Sequence, residues 1–306
     1  MRIVRTVAEL RAGLAPARRS GLSIGLVPTM GALHQGHLSL IARAREHCEV
    51  VVVSLFVNPA QFNERGDLER YPRDEHRDAQ LAERAGADLL FAPSAEEVYP
   101  PGFATSVEVR GVSERFEGAA RGAEHFRGVA TVVTKLLCMS IPDVAYFGQK
   151  DAQQLVLIRR LVRDLNLPVR VEALPTVREP DGLAMSSRNA LLSADMRARA
   201  LALPAGLDAA RALAARGERS ATALCDAART AMRAFGVEAE YVALVEPDTF
   251  APLQELPLRG RCAGEALLAL AARVGAVRLI DNTMLSPTTA QTGDQREGKA
   301  MATCSA

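Results

Sequence analysis

The feature that most constrains the fold is a regular alternation between short apolar, β-branched runs and longer stretches with helical spacing. The runs are LSIGLV (22–27), CEVVVVSLFV (48–57), ADLLFA (87–92), DVAYF (143–147) and VRVEAL (169–174). Several are apolar almost throughout, as expected of strands covered by helices on both faces. Helical patterns fall between them, at 37–47, 74–85, 128–140 and 152–165. This order predicts an α/β fold: a Rossmann-like, doubly wound parallel sheet. TSVEVR (105–110) alternates like a further strand and would suit a sheet edge or a subunit contact.

A different pattern begins at REPDGLAMSSRN (178–189), where Pro180, Asp181 and Gly182 mark a turn. Ser193 and Ser220 are positioned to cap two alanine-rich helices, the second ending before Gly236. Pro204 should kink or interrupt the first of them. EYVALVEP, GEALLALAARV and AVRLIDN then suggest a small sheet. The expected division is a nucleotide-type domain over 1–176, a smaller α+β domain over 177–286 and a mobile polar tail over 287–306.

Composition excludes several functions. The formal net charge is +1, so no field of one sign attracts nucleic acid or an anionic membrane. Aromatics make up 4% and tryptophan is absent, which argues against a stacking groove for single strands. Five scattered cysteines without a C-x-x-C pair suggest neither a disulfide framework nor structural zinc. MRIVRTVAEL lacks the apolar core of a signal peptide, and no run approaches the ~18 apolar residues of a membrane span. A cytoplasmic protein is expected.

The chemistry concentrates in PTMGALHQGH (28–37), which follows the first long apolar run. A helix opening near Gly36 or His37 would point its unpaired N–H groups at the carboxyl ends of the strands, a favourable place for phosphate. His34 and His37, three apart, would share one face of its first turn. Taken alone, H-x-x-H is also compatible with a metal site, given a further ligand, or with polar residues filling a loop.

PTMGALHQGH resembles the H-x-G-H signature of nucleotidyltransferases, in the form typical of pantothenate synthetases. FVNPAQF (56–62), YPR (71–73), HFRGVATVVTKL (125–136), YFGQKDAQQ (146–154) and REPDGLAMSSRN (178–189) fit the same family in the same order. The resemblance runs from about residue 2 to 285. It implies condensation of (R)-pantoate with β-alanine to pantothenate. ATP would first activate the pantoate carboxylate as pantoyl adenylate, and β-alanine would then displace AMP. It also implies Mg2+ accompanying ATP and a homodimer.

Carried over by position, Met30, Gly31, Ala32, Leu33, His34, Gln35, Gly36 and His37 would form the ATP site, with His37 as proton donor and His34 beside it on the phosphates. Gly148, Gln149, Lys150 and Asp151 would form a nucleotide-binding turn, Lys150 supplying a cation; Asp151 could equally serve as a helix cap. Val177 would touch the nucleotide through its backbone. Met185, Ser186, Ser187 and Arg188 would close over the outer phosphates. Gln61 would contact pantoate and β-alanine, and Gln154 pantoate. Asp78 is a candidate metal-ligating carboxylate.

Two departures from the family pattern stand out. RGAEHFRGV (121–129) is longer by one residue and lacks a proline, and Gln149 stands where many members carry glutamate. Two rivals remain open: transfer of AMP or CMP to a phosphorylated acceptor, and a non-catalytic nucleotide sensor. The first would need cations where Gln61 and Gln154 stand; the second fits poorly with retention of His37, Lys150 and Arg188.

Overall fold

The apolar runs do form strands. A computed structural model describes residues 1–62, 65–257 and 264–286; the expected tail lies outside the described residues. Six strands, β1 (Arg2–Val4), β2 (Ile24–Thr29), β3 (Val50–Leu55), β4 (Leu89–Phe91), β5 (Val144–Gly148) and β6 (Arg170–Leu174), form one sheet in the order β1-β4-β3-β2-β5-β6. Every pairing in it is parallel. β3 shows why its sequence is apolar almost throughout. Val52 packs into one core while Val51 and Val53 pack into another, one on each face. Helix Gln35–His47 covers the second face with Leu40, Ile41 and Ala44. Helices Val7–Arg19 and Ala123–Ser140 cover the first.

The sequence pattern did not anticipate β1 or helix Val7–Arg19. Thr6 and Glu9 form a reciprocal capping box at its start, a T-x-x-E signal readable in the sequence. The expected strand at 105–110 is a correction: that segment has no strand pairing in the structure. Val107 donates its N–H to Thr131 Oγ1 at 3.0 Å, and Val107 and Val109 pack on the core. Their alternation therefore reflects burial against helix Ala123–Ser140, whose start lies earlier than the periodicity suggested.

Beyond the large sheet, Ser193 and Ser220 cap helices Ala194–Ala200 and Ala221–Arg233 as expected. The helical run breaks at Leu201 before helix Ala202–Ala215, because Pro204 has no N–H for the carbonyl of Ala200. Strands β7 (Ala239–Val245), β8 (Ala266–Val274) and β9 (Val277–Leu285) make an antiparallel sheet in that order. Alternate residues of β8 face two ways. Leu268, Leu270 and Ala272 pack on the helices of this part, whereas Leu267 and Ala269 meet Val156 and Phe250 in a separate cluster. That cluster, with Ala152 and Tyr241 at its edge, seats the small sheet on helix Ala152–Asp164.

Candidate active site

The chain runs outward from β2 through β3 to β4, then returns to place β5 on the other side of β2. β2 and β5 are therefore adjacent strands whose connections leave in opposite directions, which opens a crevice at their carboxyl ends. Residues 30–34 follow β2 and residues 149–151 follow β5, so both loops border it.

The first loop is held by a buried carboxylate. Asp78, 1% exposed, accepts the N–H of Ala32 and of Leu33, both at 2.8 Å. Gly31 (φ 90°) and Ala32 (φ 51°) adopt left-handed backbone to present those amides. Both oxygens of Asp78 are thus committed to the loop, which corrects its candidacy as a metal ligand. His34 then caps helix Gln35–His47: its Nδ1 accepts from Gly36 N–H at 3.1 Å, and His37 Nδ1 accepts from His34 N–H at 3.3 Å. Each Nδ1 is an acceptor, so in the neutral rings the proton sits on Nε2. The rings lie 4.2 Å apart. Burial, followed by the neighbouring His34, lowers the His37 pKa to about 3; burial and the charge of Lys150 lower that of His34. In the open cleft both rings are neutral donors.

A cavity of about 260 Å³ gathers Met30, His34, Gly36, His37, Gln61, Gly148, Lys150, Asp151, Gln154, Val177, Met185, Ser186, Ser187 and Arg188. Gly31, Ala32, Leu33, Gln35 and Gln149 do not line it. Leu33 is a core residue, Gln35 and Gln149 face outward, and Gly31 and Ala32 shape the loop. Asp151 occupies the cap position of helix Ala152–Asp164 without making a side-chain capping bond. Tyr71, of YPR, lines the same cavity as Ser187 and Arg188.

Gln61 is fixed from several sides. Its Nε2 contacts Met30 Sδ at 2.9 Å and its Oε1 accepts from Asn58 Nδ2 at 3.1 Å. Asn58 also donates to Gly128 O and accepts from the Tyr99 hydroxyl. In the atypical 121–129 segment, His125 donates from Nδ1 to Gln61 O at 2.9 Å. Burial and then Arg121 lower the His125 pKa to about 4.

Sequence reasoning missed Glu117, which is 6% exposed on the same cleft. It accepts two bonds from Arg278 (2.6 and 2.8 Å), one from Arg121 (3.1 Å) and one from the Tyr241 hydroxyl (2.9 Å). Burial alone would raise its pKa; the two arginines prevail and hold it at about 2. Its partners lie up to 161 residues away, a separation that local pattern cannot bridge.

Comparison with known proteins decides the family. Residues 2–284 match the family model for pantoate–β-alanine ligase. The chain belongs to that family. It is 50% identical over 286 residues to the pantothenate synthetase of Moorella thermoacetica, covering 93% of this chain and 99% of the relative. The Cereibacter sphaeroides enzyme is 53% identical over 281 residues, covering 92% and 98%. A crystal structure of pantothenate synthetase from Thermus thermophilus superposes with a TM-score of 0.86 at 48% identity, over 94% of this chain and 100% of that one. The Francisella tularensis pantoate–β-alanine ligase, complexed with β-γ ATP and β-alanine, gives 0.76 at 32% identity over 93% and 97%. As a member of this ligase family, the protein is an enzyme of pantothenate formation.

Proposed function

We propose that the cleft condenses (R)-pantoate with β-alanine in two steps, activating the pantoate carboxylate with ATP and passing the acyl group to the amine. The observation that carries this reading is the placement of the His34, His37 and Lys150 side chains where the carboxyl ends of β2 and β5 meet, in one cleft with uncharged Gln61 and Gln154.

In the first step a pantoate carboxylate oxygen attacks the α-phosphorus of ATP, and the bond to the bridging oxygen of pyrophosphate breaks. Negative charge grows on that leaving group. The Nε2–H groups of His34 and His37, with the Lys150 ammonium, stabilise it. Bound polyphosphate raises the pKa of His37 above its value in the open cleft, so the ring can also share its proton with the departing oxygen. Ser186, Ser187 and Arg188 supply further donors to the outer phosphates. In the second step the neutral amine of β-alanine attacks the acyl carbon, AMP departs, and the amine loses a proton.

Magnesium neutralises phosphate charge when bound. Among the described residues no group of three His, Cys, Asp or Glu forms a cage for it. Mg2+ would be carried by the phosphates of ATP, as it ordinarily is. Residues 1–176 act as the nucleotide and pantoate domain and 177–286 as the lid. Closure excludes water from the acyl adenylate. The working unit is a homodimer in the cytoplasm.

With one N–H on Met30 and one Oε1 lone pair on Asn58, Gln61 keeps a second N–H and a second lone pair for the pantoate hydroxyls. A phosphorylated acceptor would need free cations there, and Arg121 on this cleft is already paired with Glu117. Gln61→Ala is expected to raise KM for pantoate roughly 10-fold, the scale of one lost hydrogen bond, with KM for ATP little altered. Steady-state kinetics for each substrate check this; a selective loss of ATP affinity would contradict the placement.

A further inference from the structure

We propose that Asn282, on β9 of the small sheet, is a positioning residue that holds the Lys150 turn in place. The inference rests on the phosphate role assigned to Lys150 above. The turn Gln149–Asp151 is a single 3-10 turn with no side-chain cap at either Gly148 or Asp151. A tie comes from far along the chain. Asn282 Nδ2 donates to Gln149 O at 3.0 Å and to Lys150 O at 2.9 Å. Carbonyls only accept, so both hydrogens of the amide are used and its orientation follows. Asn282 is 8% exposed, where water competes little for those bonds.

The same point of β9 grips the other wall of the cleft. Asp281, 2% exposed, accepts the Asn282 N–H at 2.8 Å and a two-pronged ion pair from Arg178 at 2.7 and 2.9 Å. Arg178 adjoins Val177 and leads the segment that carries Ser186 to Arg188. β9 thus holds the Lys150 turn with residue 282 and the MSSR segment with residue 281. A shift of the small sheet moves both phosphate-facing walls together.

The test is a double-mutant cycle on pantothenate formation at saturating substrates, with thermal midpoints measured for every variant. Asn282→Ala is expected to lower kcat roughly 10- to 100-fold through misplacement of the cation. Asn282→Ser, which can still donate to one carbonyl, should lose less. In a Lys150→Ala background, adding Asn282→Ala should slow turnover no further than about twofold, because its effect passes through Lys150. Full multiplication of the two losses, or wild-type kcat in Asn282→Ala, overturns the inference while leaving the role of Lys150 standing. Near-normal turnover in Lys150→Ala alone removes both. Should the alanine variant fail to fold, the serine variant with and without Lys150→Ala is read by the same rule.

Discussion

At the scale of single residues, the proposed work is electrostatic, and the two histidines are prepared for it by their backbone. Each Nδ1 is occupied by an N–H of the same loop, so each ring offers its Nε2 proton outward. His37→Ala and Lys150→Ala should each reduce kcat by at least ~100-fold, the cost of one lost charge-stabilising contact, with the fold intact. Turnover assays paired with circular dichroism check this; near-normal turnover in either variant would remove that residue from the mechanism. Much of this was legible in the sequence, since spacing alone put His34 and His37 on one helical turn after a strand. Asp78 was not. A carboxylate near phosphate-binding motifs suggests a metal ligand, and only the folded chain shows both oxygens taken by the N–H groups of Ala32 and Leu33.

At the scale of elements, the His loop depends on that carboxylate. Asp78→Ala leaves the buried amide of Leu33 without an acceptor, at a cost of about 1–3 kcal/mol, and the part-buried amide of Ala32 at a smaller one. The loop should loosen, with a lower thermal midpoint and kcat reduced together; unchanged values for both in the purified variant would show that the loop holds itself. Every strand but β1 was readable, the central ones because burial on two faces demands continuous apolar sequence, as in Val51 to Val53. TSVEVR misled for a related reason. Alternating valines report that one side is buried, and Val107 and Val109 bury theirs against the core without strand pairing. Asp151 misled in the opposite sense: it stands at a cap position and leaves the cap unmade.

At the scale of the molecule, three buried groups of two opposite kinds set the response to acid. His37 and His125 have folded pKa values depressed to about 3 and about 4 from 6.5 by burial. The unfolded chain takes up protons between those values and 6.5 that the folded chain does not, so stability falls as pH drops below 6.5. Glu117, held at about 2, adds stability above its unfolded value of 4.5 that is lost as pH falls toward 2. Denaturant unfolding from pH 8 to 4 should show a flat region, then a loss of ~1–3 kcal/mol per histidine below 6.5. His125→Gln, whose amide can keep the bond to Gln61 O, should lessen that loss; an unchanged acid slope would contradict it. Glu117 also ties its helix, Glu117–Arg121, to the small sheet through Arg278 and Tyr241. No sequence pattern pairs residues so far apart, which is why this contact, like that of Asn282, emerges only from the fold.

The central claim is that the carboxylate is activated before the amine arrives, and isotope exchange tests it most directly. Given Mg2+, ATP, pantoate and labelled pyrophosphate, the enzyme should move label into ATP without β-alanine, while net AMP release should require β-alanine. Exchange that occurs only with a phosphorylated acceptor, or no exchange with pantoate alongside measurable ATP binding, would contradict the account.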